Sequence, residues 1–243
     1  MSELPSFATA PCHVRALDFG HVLVLIDYRT GHVQCLMPAA ATLWKDAADT
    51  GRIDAMDPTM ATRLLTSGLL LPAPSPIPWS APTTALPAKA SWGSAEHPAG
   101  TVRPPRARRG AIGAAAALAS VAAIKQAGPR GLAMHRLTTA LNAAASRCCR
   151  PATPAQAQAA ALAVRRTGWY FPGRTACLEE SAATALQLAV RRLSVTWCHG
   201  AAPDPVRLHA WVETEDGTPV AEPPSTLAFT PALTIGDRHQ HQQ

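Results

Sequence analysis

Short apolar runs and turn signals alternate over the first third of the chain. Val22–Ile26 is an unbroken apolar run rich in β-branched residues, which predicts a strand. Tyr28-Arg-Thr-Gly31 reads as a turn. Beyond it Val33, Cys35 and Met37 alternate with His32, Gln34 and Leu36, the two-residue period of a second strand, His32–Met37. Cys12–Leu17 predicts a third strand before a turn at Gly20. Pro38 stands where the first residue of a helix tolerates proline, Leu43, Trp44 and Ala47 form that helix's apolar stripe, and Gly51 closes it. Asp57-Pro58 is an N-cap followed by proline and opens a second helix, roughly Asp57–Thr66, that Gly68 ends; Leu64 and Leu65 face inward. Residues 1–72 therefore predict a three-stranded sheet with two or three short helices.

Proline then breaks the pattern. Pro72, Pro74, Pro76, Pro78, Pro82, Pro87, Pro98, Pro104 and Pro105 crowd one stretch, a density that no helix or central strand accepts. Residues 73–109 thus predict an extended, poorly packed linker ending in the short basic run Arg103–Arg109. From residue 110 to 243 the period is helical first. Ala111–Ile124, then Leu132–Arg147 with Leu132, Met134, Leu137 and Leu141 at helical spacing, then Thr153-Pro154 to Arg166 predict three helices. Gly168-Trp-Tyr-Phe-Pro-Gly173 is an aromatic loop. A long helix follows to about Arg192, with Thr175 as its expected N-cap and Leu178, Ala182, Ala185, Leu186, Ala189 and Leu193 as its core stripe. Strands are predicted at Leu193–Cys198 and Val206–Thr214, with a turn at Glu215-Asp-Gly217 and a return over Thr218–Glu222. The fold class is α+β: a small sheet-and-helix domain, a linker, and a second domain of helices packed on an antiparallel sheet.

Composition narrows the function. The 243 residues are 47% hydrophobic and 16% charged, enough apolar material for a core without metal or disulfides. The net charge is +6, but the basic residues are scattered and Arg outnumbers Lys by 19 to 3, so a nucleic-acid footprint is not expected. Met1–Ala10 has no basic start followed by an apolar run, and the Ala-rich stretch Gly110–Ile124 is too short for a bilayer span. A cytoplasmic protein without membrane insertion is expected, its six cysteines free thiols and any well-placed one a candidate nucleophile.

One cysteine stands out. Cys177 falls in the first turn of the long helix, where unpaired N–H groups and the helix dipole stabilise a thiolate. A lone cysteine reads as a small buried hydrophobe, and a lone histidine as a packed core residue. Here the two pair on compatible elements. In the Val206–Thr214 strand Arg207, His209, Trp211 and Glu213 share one face, and the return segment carries Glu222 within reach of the imidazole. Helix-borne thiol, strand-borne imidazole and acid make a cysteine-nucleophile triad: the histidine takes or pairs with the thiol proton, and the acid fixes its tautomer. The Cys177 N–H is a candidate oxyanion donor. Asp216 and Glu215, in the turn, are the alternative acids. Residues 1–72 carry no such set and no phosphate-cradling loop. Their small sheet leaves an edge strand that an extended peptide can join.

Two resemblances follow from these residues. Residues 12–72, with Asp27-Tyr-Arg-Thr-Gly31 and Met37-Pro-Ala-Ala-Ala-Thr-Leu-Trp44, resemble the PqqD-like, winged-helix-like peptide-recognition element of ribosomal-peptide biosynthesis. That likeness implies leader binding along the strand at Val33, Gln34, Cys35, Leu36 and Met37, against the Asp57–Thr66 helix. Cys-Leu-Glu-x-Ser at 177–181, 32 residues ahead of His-Ala-Trp-Val-Glu at 209–213, resembles the transglutaminase-like, papain-like leader peptidase of lasso-peptide biosynthesis, the B protein of microcin-type clusters. This implies a cysteine protease that removes the leader of a precursor peptide. It also implies an asparagine-synthetase-like cyclase partner, which uses ATP to close the macrolactam, and no cofactor bound by this chain. The family's acid is normally Asp; Glu222 stands roughly in its place.

Two other classes remain open. The same thioester can pass to an amine, making an acyl transferase, or the chain can be a scaffold that binds precursor with an inert triad. His239 and His241 sit in a polar tail, and no metal site is expected from them. Cys148-Cys149 reads as helix-end packing. Trp211 either walls the cleft or packs under the Cys177 helix, and Trp169, Tyr170 and Phe171 line a channel or pack on the helices.

Overall fold

The computed structural model describes residues 4–85, 110–173 and 175–236. They form a mixed α and β protein with six helices and several small sheets, in two compact units, residues 1–87 and 88–243. Most of the expected linker, residues 86–109, and the histidine tail lie outside the described residues.

In the first unit β1 is Ala8–Thr9, β2 Val14–Asp18, β3 Leu23–Asp27, β4 Val33–Leu36, α1 Pro38–Thr50, α2 Pro58–Thr66, β5 Leu71–Pro72 and β6 Thr83–Thr84. β3 is buried along its whole length, as an apolar run without alternation requires. The β3–β4 turn is built by the buried Asp27, whose carboxylate accepts the Arg29 N–H at 2.7 Å and the Thr30 hydroxyl at 2.5 Å. α1 opens on Pro38 and closes on Gly51, whose φ of +72° suits the left-handed cap. Asp57 caps α2 by accepting the Thr59 and Met60 N–H groups. Trp44, Leu64, Leu23, Leu25, Leu69 and Leu70 form the core.

The four-stranded sheet has the order β4-β3-β2-β6. Its last strand corrects the linker expectation. Residues 73–85 pack onto this unit: Thr83–Thr84 pair parallel with Leu17–Asp18, the Trp79 N–H donates to Ala48, and the Trp79 ring meets Trp44 edge-on at 5.6 Å. Proline excludes helices and central strands, but an extended segment laid on a sheet edge accepts it. A Cβ on Gly51 would sit 2.3 Å from the Ile77 backbone nitrogen, which shows how closely this segment lies.

In the second unit α3 is Ala111–Gln126, α4 Ala133–Ala145, β7 Arg150–Pro151, α5 Pro154–Gly168, α6 Cys177–Ala189, β8 Leu193–Ser194, β9 Thr196–Ala202, β10 Arg207–Glu213 and β11 Thr230–Ile235. β9 is the central strand of an antiparallel sheet ordered β10-β9-β11. α6 packs against α3, α4 and α5 on its sides and against β9 and β10. Its buried face is shifted from the expected stripe: Leu178, Ala185, Leu186 and Ala189 are only partly buried, while Glu180, Ser181, Thr184 and Gln187 are buried alongside Ala182, Ala183 and Leu188. Most of these polar groups are partnered: Ser181 accepts the Trp197 indole N–H at 3.0 Å, Thr184 donates to the Glu180 carbonyl at 2.8 Å, and the Gln187 amide nitrogen donates to the Gly110 carbonyl at 3.4 Å. Small side chains at Ala114, Ala117, Ala160, Ala161 and Ala183 let the helices approach closely. The return segment Thr218–Glu222 is not a full strand. It touches β10 through the Glu213–Pro219 bridge and a Val220 N–H bond to Val212.

Candidate active site

Cys177 is the first residue of α6 and is half-buried. The N-cap is Ala176, not Thr175. The Glu179 carboxylate accepts the Ala176 N–H at 3.0 Å and pairs with Lys125, so this acid is turned to the helix end and a cation. Thr175 instead bonds to Glu180.

His209 lies in β10 opposite Gly200 of β9. Its Nε2 is 2.8 Å from Glu222 Oε2, and its ring also interacts with the Cys177 side chain. The structure thus brings together Cys177, His209 and Glu222, all lining one narrow crevice with Arg165 and Glu180. Asp216 is held in the turn by Thr214 and Thr218, and takes no part.

The electrostatics follow from burial and these contacts. Burial opposes a charged His209, but the bonds to Cys177 and Glu222 outweigh it and lift the imidazole to about 9. Burial likewise penalises a charged Glu222, yet His209, the Arg165 guanidinium and Thr226 hold its carboxyl below the usual carboxylate range. Glu180 is pushed up by burial, against the Arg165 charge. His199, on the neighbouring strand, is pulled down to about 4 by burial and by the His209 charge. The site therefore holds a protonated imidazole at neutral pH between a sulfur and a carboxylate.

Several residues around the triad carry no local sequence signal. Arg165 of α5 donates to Glu222 Oε1 and to the Ala221 carbonyl, and its Nε stands 3.5 Å from Glu180. The Thr226 hydroxyl donates to Glu222 Oε2 at 3.1 Å. Phe229 lies 5.0 Å from the His209 ring, and Trp211 stacks on it at 5.8 Å. Trp211 is thus a wall of the histidine. Trp169 and Tyr170 are exposed and Phe171 packs on the core.

In the first unit β4 is an edge strand. Val33 and Gln34 are half-buried, Cys35 and Met37 exposed, while the Leu36 side chain is in the core and offers only backbone. An open groove of about 760 Å³ runs between β4, through His32 and Gln34, and α2, through Thr59, Thr62, Arg63 and Thr66.

Residues 120–234, from within α3 to β11, match the family described as the transglutaminase-like superfamily. The second unit carries a transglutaminase-like domain. No curated protein and no solved structure matches the chain. A transglutaminase-like domain is consistent with thiol-based acyl chemistry of the cysteine-protease or acyltransferase type, and the matched stretch holds Cys177, His209 and Glu222. Among the described residues no helix is long and apolar enough to cross a membrane.

Proposed function

We propose that this protein is a cysteine leader peptidase that binds a ribosomally made lasso-peptide precursor and cleaves off its leader. The core peptide then passes to an asparagine-synthetase-like cyclase, where ATP is used. The observation that carries the hydrolytic chemistry is His209, hydrogen-bonded to Cys177 on one side and to Glu222 on the other, with its proton retained at neutral pH. In the ion-paired form the sulfur attacks the scissile carbonyl carbon. His209 gives its proton to the departing amine nitrogen as the C–N bond breaks. Water then attacks the thioester, His209 takes its proton, and the thiolate leaves a free carboxylate. The Cys177 backbone N–H, which lies in the first turn of α6, is the candidate donor to the oxyanion.

Leader recognition belongs to the PqqD-like first unit. The free edge of β4 offers backbone groups over Val33–Met37, and the groove against α2 offers room for alternate leader side chains. The substrate class rests on the paired motifs at 177–181 and 209–213. The test is cleavage of the cognate precursor: Cys177→Ala is expected to abolish it while leader affinity stays within about twofold. Full proteolysis by that variant overturns the reading.

The superfamily match also favours acyl transfer, since the same thioester accepts an amine. Mass spectrometry separates the two. A product lighter by the leader, beside a leader with a free carboxylate, supports hydrolysis; a cross-linked product supports transfer.

A further inference from the structure

We propose that Arg165 is the positioning residue that holds Glu222 where it can serve His209, and that it ties this acid to the helix carrying Cys177. The inference rests on the thiol-imidazole reading of the site. By sequence, Arg165 is one of two basic residues in the last turn of α5, where cations commonly settle for the sake of the helix dipole. Its contacts are of another kind.

Each nitrogen of the guanidinium has a different target. Nη2 donates to Glu222 Oε1, Nη1 to the Ala221 carbonyl, and Nε faces Glu180. Glu180 is three residues past Cys177 on α6, so a single side chain bridges the nucleophile's helix and the acid's segment. The Glu222 carboxylate divides its two oxygens: Oε1 goes to Arg165, which frees Oε2 for His209 at 2.8 Å and Thr226 at 3.1 Å. Ala221 has φ of +54°, a conformation that a residue with a Cβ rarely adopts. The Arg165 bond to its carbonyl, with the Val220 N–H bond to Val212, fixes the backbone that aims Glu222. A glutamate has one more rotatable bond than an aspartate, so its carboxylate needs such an anchor to present one oxygen reproducibly. The Arg165 cation thus stands between the Glu180 carboxyl and the Glu222 carboxylate that faces His209. A lysine has one nitrogen on a flexible stem and cannot make the three contacts at once.

The test reads the histidine directly in the full chain. The ring of His209 is titrated by nuclear magnetic resonance in the wild type, R165Q, R165K, E222Q and R165Q/E222Q. Thermal melting and alkylation of Cys177 by iodoacetamide, followed by peptide mass mapping, run in parallel. R165Q is expected to lower the His209 midpoint by about one pH unit, as E222Q does, and the double variant to match E222Q alone. R165K is expected to fall between. In precursor cleavage R165Q is expected to lower kcat about 10- to 100-fold with KM within about twofold. A lower Tm with an unmoved His209 midpoint overturns the proposal, as do additive effects of R165Q and E222Q. Where R165Q fails to fold, R165K carries the test, and an unmoved midpoint there overturns it as well. Loss of the peptidase reading shows separately, as cleavage by Cys177→Ala, and leaves the titration result standing.

Discussion

At the scale of single residues the site is governed by where one proton rests. His209 is lifted from the ordinary histidine value to about 9, against burial, by Cys177 and Glu222. A group raised on folding stabilises the fold fully below its unfolded pKa, near 6.5, and that contribution is lost as pH rises through about 9. In the proposed cleavage the same proton is the one given to the leaving amine. Precursor cleavage is therefore expected to decline above about pH 9, and a pH–kcat profile checks it. A profile flat to pH 11 would contradict the assignment of His209 as the acid. Glu222→Gln is expected to draw that limb to lower pH and cut kcat about 10- to 100-fold. The relative placement of Cys177, His209 and Glu222 was legible because helix-start chemistry, strand parity and a turn signal are local patterns. Arg165, Thr226 and Phe229 were not. Each comes from a separate element, and nothing in its own neighbourhood distinguishes it from a helix-end cation, a loop hydroxyl or a core aromatic.

At the scale of elements, boundaries marked by caps were readable and those set by distant partners were not. Pro38, Gly51, Asp57-Pro58 and Thr153-Pro154 mark helix ends where the structure has them, because capping is local chemistry. β9 runs on past Cys198 through His199, Gly200, Ala201 and Ala202, residues of weak strand preference that are held by β10 and β11 on either side. β11 and β6 have no periodic signal strong enough to announce them. The glycine in the middle of β9 has a definite reason. A Cβ on Gly200 would lie 2.0 Å from the Thr230 carbonyl oxygen, which is backbone and cannot swing aside. Gly200→Ala should therefore force β11 away from β9 at the position opposite His209. A loss of roughly 1–3 kcal/mol in urea unfolding is expected, together with reduced cleavage. An alanine variant of unchanged stability would show that the close approach is not maintained in solution. Asp57→Ala, which removes the α2 cap, is expected to cost about 1 kcal/mol and to leave cleavage of a leaderless peptide unchanged.

At the scale of the whole molecule there are two separate cores, and each should fail under its own conditions. His199 is buried in the second unit and held down to about 4, so the unfolded chain binds its proton more readily. Stability from this group is present above about 6.5 and lost as pH falls towards 4, a contribution of order 3 kcal/mol. The second unit should therefore melt at lower temperature as pH drops from 6.5 to 4. In the proposed function leader docking is assigned to the first unit, whose groove is lined by Gln34, Thr62 and Arg63 and holds none of Cys177, His209 or Glu222. On that proposal, tethering the leader there would raise the local concentration of the scissile bond near the thiol and lower KM without changing the bond-breaking step. Thr62→Arg, which fills the groove with a bulky cation, is expected to raise KM for the full precursor about tenfold while kcat stays within about twofold. The same variant should cleave a leaderless peptide as the wild type does. Equal losses on both substrates would mean that the groove acts on folding rather than docking, and unchanged KM on the precursor would remove β4 and α2 from leader recognition.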